Sequence, residues 1–216
     1  METSKTRDND VATLCSRCVR ETGVDGGGVT VRSSDGVRVT VHATDPTSAR
    51  IEELQFMLGE GPCVEASDSG EPVLVPDLTR RDTRSRAWSP FLSEAELVGV
   101  RAVFAFPLQA GAVALGSLGL YRGRPGPLTG PQLSKGLERA DDLTRSLLRP
   151  ADRPGVERAL PIIVHQAAGM VMVQLDATVE EALLRLRATA FAEELALQQL
   201  AREVVEGRRR FSKEER

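Results

Sequence analysis

The sequence predicts an α+β fold: an N-terminal antiparallel sheet flanked by helices, followed by a small all-α unit of three helices. Short apolar runs bounded by glycine and proline fill the N-terminal part and predict strands. Three amphipathic patterns between residues 163 and 205 predict short helices, which must bury one another because isolated helices below roughly 12–15 residues are marginal in water. Two prolines and a glycine in residues 149–155 separate the two parts.

The N-terminal part alternates predicted helices with predicted strands. Val37–Val41 alternates apolar and polar side chains as a half-buried strand does, and residues 33–36 end in Asp-Gly, which suits a hairpin turn. The other strands are predicted at Gly28–Val31, Pro72–Val75, Val100–Leu108 and Ala112–Leu120. Helices are predicted at Val11–Thr22, Thr47–Leu58 and Gln132–Leu148.

The helix at Gln132–Leu148 carries a stripe that has two interpretations. It is either a short coiled-coil seam or a surface that packs back on the sheet. The stripe consists of Leu133, Leu137, Ala140, Thr144 and Leu147.

Each of the three C-terminal helices has an apolar stripe with helical spacing. The second helix begins at Thr178, which forms a predicted capping box with Glu181. Gly169 lies inside the first helix, where glycine costs about 1 kcal/mol relative to alanine. We interpret it as a point of close helix contact, with Met170 and Met172 as gap-filling residues.

Residues 10–148 resemble a GAF domain. The resemblance rests on Gln55 to Cys63, on Pro72-Val73 followed by Pro76-Asp77-Leu78, on Trp88, and on Gly99 to Leu108. It implies a sensory domain with a small-molecule pocket, since known GAF domains bind ligands such as cyclic nucleotides, bilins, haem or 2-oxo acids. The candidate lining residues for an unidentified ligand are Phe56, Cys63, Trp88 and Phe104.

Residues 156–211 resemble the ANTAR domain, an RNA-binding module of bacterial antitermination regulators. The run Gln166 to Met172, then Glu181-Ala182, Arg187, Ala190 and Leu200-Ala201-Arg202 carry this resemblance. It implies a homodimer that binds a nascent transcript with two stem-loops and prevents termination. The candidate RNA-binding residues are Gln166, Ala168, Gly169, Met172, Arg185, Arg187, Arg202 and Arg208.

Three features of this region depart from what an RNA-binding module would show. The family often has lysine at the position of Ala168, and acidic helix formers such as Glu193 and Glu194 fill the turn before the third helix. Residues 151–216 hold ten Lys/Arg against eleven Asp/Glu, so no broad basic patch supplies phosphate affinity. A regulator that binds DNA or protein without RNA activity is therefore an alternative.

The sequence offers no catalytic or metal-binding constellation, and we expect no enzyme activity and no cofactor. Cys15 and Cys18 form an isolated C-x-x-C pair, and His42 and His165 lie apart from any nucleophile. A thiol-dependent GAF reductase acting through Cys63 is a second alternative, against the interpretation of Cys63 as a buried apolar residue.

Length and composition set the remaining expectations. A chain of 216 residues with 41% hydrophobic content and a net charge of −3 is expected to be a cytoplasmic regulator with no membrane segment. We expect residues 1–9 to be a disordered N-terminus, 10–148 the GAF domain, 149–155 a linker, 156–211 the ANTAR domain, and 212–216 a flexible C-terminus.

Overall fold

The computed structural model describes residues 11–32, 38–80, 88–148, 162–193, 195 and 197–212. Its centre is a five-stranded sheet in the order β2-β1-β5-β4-β3, in which every neighbouring pair is antiparallel. The strands are β1 Gly26–Arg32, β2 Arg38–Ala43, β3 Val73–Val75, β4 Ala102–Ala110 and β5 Val113–Arg122. The helices are α1 Val11–Thr22, α2 Pro46–Leu58, α3 Pro62–Ser69, α4 Ser89–Leu97, α5 Gly130–Leu147, α6 Ile162–Leu175, α7 Val179–Ala192 and α8 Leu197–Val205.

Both faces of the sheet are covered, because successive side chains of a strand point to opposite faces. Phe104 and Phe106 of β4 pack with α1 and α5 on one face. Val103 and Ala105 of the same strand pack with α2, α3 and α4 on the other. Antiparallel sheets often leave one face in water, whereas this one supports a separate apolar core on each side.

Glycines on paired strands let α2 and α3 approach the sheet closely. Gly28 of β1 lies opposite Gly119 of β5. A Cβ atom at Gly28 would lie 2.7 Å from the Cγ atom of Glu52 in α2. At Gly119 it would lie 2.6 Å from the Cys63 Sγ atom in α3. Only a residue without a side chain leaves room for these helices at this distance.

The three C-terminal helices form a third core that reaches the sheet. Val164, Leu183 and Leu200 represent the buried stripes of α6, α7 and α8 in this core, which also contains Val31 and Val39 of the sheet. The predicted capping box at Thr178 is confirmed, since its amide donates to Glu181 at 2.7 Å while the Glu181 amide donates to the Thr178 hydroxyl at 3.2 Å. The helical unit is thus packed on the sheet domain, with α7 against α2.

The predicted α+β class and antiparallel sheet are confirmed, and the predicted strands and helices differ from the observed ones by a few residues at their ends. Sequence patterns did not predict α3 and α4, which are short, carry a proline at their first or second position and lack a clear apolar stripe. The predicted turn at residues 33–36, the linker at 149–155 and residues 1–9 lie outside the described residues, as do residues 213–216.

The stripe on α5 packs mainly on the sheet domain, as the second of its two interpretations expected. Ala140 is buried, and Leu133 and Leu147 contact the core formed with α1, whereas Leu137 is 43% exposed.

Within the described part of the chain, no helix is long and apolar enough to cross a membrane.

Gly119→Ala tests the close approach of the helices to the sheet. The added methyl group overlaps Cys63 and Glu52, so we expect the free energy of unfolding to fall by about 1–3 kcal/mol, as for an overpacked core. Chemical denaturation measures it. Gly130→Ala is the control, because a Cβ atom there meets nothing within 4 Å. Equal stability of both variants and the wild type would contradict the packing described.

Candidate functional site

A buried carboxylic acid lies between α2 and the sheet. Glu52 is only 4% exposed, and its Oε2 atom accepts a hydrogen bond of 2.7 Å from the Thr30 hydroxyl of β1. The Cys63 thiol donates to its other oxygen at 3.7 Å. No cationic side chain in the described part of the chain pairs with it. We call Thr30, Glu52 and Cys63 the buried acid cluster.

The environment of this cluster favours its neutral form. Burial raises the pKa of Glu52 despite the hydrogen bonds from Thr30 and Cys63, because a charged carboxylate loses its hydration there. Burial also raises the pKa of the Cys63 thiol, and the nearby Glu52 raises it further. A thiolate is the nucleophilic form of cysteine, so this thiol is held in its unreactive state.

Polar side chains of α2 continue the cluster along one helix face. Gln55 accepts a hydrogen bond of 2.7 Å from the Cys63 amide, while its Nε2 atom is buried without a partner among the described residues. Asp45 caps α2 through the Ser48 amide at 3.0 Å and accepts a bond of 2.6 Å from the Tyr121 hydroxyl. Burial and the Asp45 carboxylate raise the pKa of Tyr121 to about 12.

The space between α2 and the sheet is nearly closed. The cavity beside Glu52, Cys63 and Tyr121 has a volume of about 10 Å³. A single water needs roughly 10–15 Å³ of such space, so the cavity holds one water at most. The buried acid cluster occupies this space, and among the described residues the cavity beside it admits nothing larger than a water molecule.

Among the described residues, no cavity brings the four predicted pocket residues together. Cys63 and Trp88 are buried in the same core, on the face covered by α2, α3 and α4. Phe104 lies on the opposite face of the sheet. Phe56 is half-buried and contacts the helical unit. Alternation along β4 explains the separation, since Phe104 and its neighbour Val103 point to opposite faces.

The C-x-x-C pair is part of a core. Cys15 and Cys18 of α1 are buried free thiols. Burial raises the pKa of both, that of Cys18 to about 12. Within the described residues, no group of three or more His, Cys, Asp or Glu side chains is arranged to hold a metal ion.

The predicted RNA-binding residues divide into exposed and covered ones. Gln166, Arg202 and Arg208 are exposed. Gly169, Met172 and Arg185 are partly exposed, and Met172 packs on the helical core. Ala168 is 1% exposed and belongs to the core, so it offers no surface to a partner in this arrangement.

Arg187 differs from the other predicted residues because it faces the sheet domain. Its guanidinium carbon lies 4.4 Å from the centre of the Phe56 ring, a cation–π contact between α7 and α2. Its Nε atom is buried without a partner among the described residues. Burial lowers its pKa to about 10, and the charge of Arg38 contributes to this lowering, so it remains cationic at neutral pH.

Gly169 faces open space. A Cβ atom there would meet nothing within 4 Å, so the predicted close helix contact is absent among the described residues. The glycine instead lines an open groove of about 720 Å³. Its walls come from α6 and from the end of α8, and they include Gln166, Gly169, Met170, Val173, Val205 and Arg210.

Comparison with known proteins identifies the sheet domain. Residues 6–134 match the GAF domain family, which is more than half of the chain. The chain belongs to the GAF domain family. The family's helix-flanked sheet is the arrangement seen here, and the match ends before α6. No curated protein matches the sequence.

Solved GAF domains share this fold at low sequence identity. The GAF domain region of a Geobacter sulfurreducens protein is similar with a TM-score of 0.52 and 16% identity, over 67% of this chain and 96% of that one. The GAF domain of a Coxiella burnetii phosphoenolpyruvate-protein phosphotransferase gives a TM-score of 0.50 and 15% identity, over 67% and 89% of the two chains. At this identity the likeness concerns the fold alone.

Sequence patterns pointed to Cys63 but not to Glu52 or Thr30. A signal was present: Ser48, Ile51, Glu52 and Gln55 have the spacing of one buried helix face. That face carries three polar side chains and meets the run Gly26 to Gly28. When polar residues lie on the buried face of a helix that packs on a glycine-rich strand, a polar contact between the helix and the sheet is expected.

Glu52→Gln tests the state of the buried acid. Folding raises the pKa of Glu52 from its ordinary value of 4.5, so wild-type stability should fall as pH rises above that value, until the folded-state pKa is passed. Glu52→Gln has no carboxyl group at this position and does not lose stability in this way. Within that pH range the difference in free energy of unfolding between Glu52→Gln and the wild type should therefore change in favour of the variant by about 1.4 kcal/mol per pH unit. Denaturation at pH 4 to 8 measures it.

Glu53→Gln is the matched control, because Glu53 is exposed and pairs with Arg50 at 3.1 Å. Its stability curve should run nearly parallel to that of the wild type. If the curve of Glu52→Gln also ran parallel to the wild type, the buried acid would not be neutral as described.

Arg187→Met tests the contact between α7 and α2. Methionine keeps an apolar stem on Phe56 but removes a covered charge that has Arg38 as a like-charged neighbour. We expect the free energy of unfolding to rise by about 1 kcal/mol, since desolvating a charge that has no anionic partner among the described residues costs more than a cation–π contact returns. Arg185→Met on the same helix should change it by less than about 0.5 kcal/mol. Destabilisation by Arg187→Met would show that the cation–π contact dominates.

Proposed function

We propose that this protein is a transcription antitermination regulator in which the GAF domain controls a C-terminal RNA-binding unit. The supporting observation is the resemblance of residues 156–211 to the ANTAR domain, together with the exposure of Gln166, Arg202 and Arg208 on that unit. The RNA partner is a nascent transcript with two stem-loops. Binding holds the transcript in a form that prevents a terminator from forming downstream.

The groove beside Gly169 gives this proposal a concrete surface. Arg210 lines the groove with Gln166, and the exposed Arg208 lies close to it in sequence. Arg202 of α8 is exposed and forms no ion pair among the described residues. Phosphate contacts would come from these arginines, while the apolar groove would receive unstacked bases, which RNA-binding proteins commonly contact on their faces.

Under this proposal, Arg187 can contact RNA only if α7 packs differently against the GAF domain. It is covered by Phe56 here and cannot contact RNA at the same time. A covered cation beside Arg38 lowers stability, which is a feature expected of residues kept for function. We infer that RNA binding through Arg187 requires α7 to leave α2, which gives the GAF domain a means of control.

The assembly belongs to the same proposal. Two stem-loops call for two ANTAR domains, so we propose a homodimer. The α5 stripe is mostly engaged with the sheet domain, so the two copies would meet elsewhere. Sedimentation at micromolar concentration, with and without RNA, distinguishes a dimer from a monomer.

A protein partner is the second candidate, and the composition of the groove favours it. The α6 helix contains no Asp, Glu, Lys or Arg, and its Val173 side chain is 77% exposed. Exposed apolar surface at a groove is typical of protein interaction sites. Binding of a protein to this groove would favour this candidate if its affinity did not depend on salt and it required no RNA.

The thiol-dependent reductase receives no support from the site. Cys63 is 4% exposed, and the neighbouring Glu52 disfavours its thiolate. We propose that the protein is not an enzyme. The wild-type protein should show no methionine sulfoxide reductase activity, so Cys63→Ser should cause no change in this assay.

RNA binding is tested with a two-stem-loop RNA and with a single-stem-loop RNA of equal length. We expect the two-stem-loop RNA to bind more tightly, with an affinity that falls steeply as salt rises. Arg202→Ala should weaken binding roughly 3-fold to 10-fold and reduce the salt slope by about 1, because one phosphate contact is lost. Fluorescence anisotropy between roughly 50 and 200 mM salt measures both.

Arg17→Ala is the control, since Arg17 is an exposed arginine on α1, outside the helical unit. It should leave affinity and salt slope unchanged. No binding to either RNA at about 50 mM salt, or equal losses for Arg17→Ala and Arg202→Ala, would contradict the RNA proposal.

A further inference from the structure

An open cleft of about 600 Å³ lies where the helical unit meets the GAF domain. One wall consists of residues from α2 and α4, and the other consists of residues at and just beyond the C-terminal end of α7. It is distinct from the closed space that holds the buried acid cluster. The lining residues are Arg50, Glu53, Leu54, Met57, Leu58, Glu94, Ala190, Phe191, Ala192 and Leu195.

Most of the residues that line the cleft are apolar, and one of them is aromatic. Leu54 is buried, and Met57 and Leu58 are partly exposed beside it. Phe191 on the opposite wall is 49% exposed, which is unusual for a large aromatic side chain in a folded chain. A volume of this size lies within the range of small-molecule sites, which are lined mainly by apolar and aromatic groups with a few polar ones.

The rim of the cleft carries an excess of negative charge. Arg50 pairs with Glu53 at 3.1 Å and lies 3.9 Å from Glu94. One cation therefore faces two carboxylates, and the longer ion pair leaves Glu94 the less firmly engaged of the two. Among the described residues, no other charged side chain lines the cleft.

We propose that this cleft binds a small aromatic cation, with its ring against Phe191 and Met57 and its positive charge beside Glu94. Apolar walls favour a flat hydrophobic body, and the rim favours a positive group over a negative one. The exposed face of Phe191 also attracts a cation. The proposal concerns a ligand of the GAF and helical parts together and does not depend on RNA binding.

Such a ligand would couple the two parts of the chain. It contacts α2 and α4 on one side and the end of α7 on the other, so it stabilises the docked arrangement by its binding free energy. The same α2 and α7 helices carry Phe56 and Arg187. Binding in the cleft would therefore strengthen the arrangement in which Arg187 is covered.

Three probes of similar size test the charge preference. They are 2-(1-naphthyl)ethylamine, which is cationic at neutral pH, the neutral 2-(1-naphthyl)ethanol, and the anionic 1-naphthylacetate. Calorimetric titration of the full chain should give the highest affinity for the amine and an affinity about tenfold lower for the acetate, since attraction at the rim becomes repulsion. Saturation-transfer NMR should show contact through the ring protons.

Two variants locate the site. Phe191→Ala and Glu94→Gln should each weaken the amine roughly two- to fivefold, through loss of the cation–π contact and of the rim charge respectively. Glu94→Gln should leave the alcohol unaffected, whereas Phe191→Ala should weaken it too. Leu97→Ala is the control, because Leu97 is 80% exposed on α4 and does not line the cleft. Thermal unfolding checks that each variant folds.

Three results would overturn the proposal. The first is equal affinity for amine, alcohol and acetate, the second is amine binding that neither Phe191→Ala nor Glu94→Gln weakens, and the third is no binding of any probe at millimolar concentration. A folded Glu94→Gln variant keeps the test decisive if Phe191→Ala does not fold.

Discussion

The close seating of α2 on the glycine-lined part of the sheet is the constraint on which the rest of the structure depends. Gly28 and Gly119 leave space that Glu52 and Cys63 fill, and no larger residue is tolerated at these strand positions without a shift. The seating brings the Glu52 carboxyl group out of water, where its donors among the described residues are the neutral Thr30 and Cys63. It also positions α2 so that Phe56 packs on the helical core and Leu54, on another side of the helix, borders the cleft.

The described cavity between α2 and the sheet is too small to hold a sensory ligand. Among the described residues, the cavity beside Glu52 and Cys63 holds one water at most. A ligand would enter this space only after it opened, and otherwise the signal would reach the domain elsewhere. The outer face of α2 offers a route, because it contacts α7 directly. Any movement of α2 relative to the sheet changes the surface on which Arg187 rests. Helix displacements of this kind are common in switching proteins, since packed cores adopt discrete arrangements.

Much of the fold was predictable from local patterns. The strict alternation of Val37–Val41 and the cap at Thr178 each reflect interactions between residues close in sequence. The helices α3 and α4 were not predictable in this way, because their stability comes from packing against the sheet more than from their own periodicity. Gly169 showed the limit of local inference, since a helical glycine indicates close approach without saying whether the partner is in the same chain.

The sequence by itself determined the α+β class, the order of the elements, the GAF resemblance and the three short helices that follow it. These depend on periodicity, capping and motif spacing, which are properties of neighbouring residues. Only the tertiary structure decided that Phe104 lies on the opposite face from Cys63, that Glu52 is buried without a cation among the described residues, and that Arg187 rests on Phe56. The physical reason is that burial and charge pairing depend on contacts between residues far apart in the chain, and local sequence does not specify which distant surfaces meet.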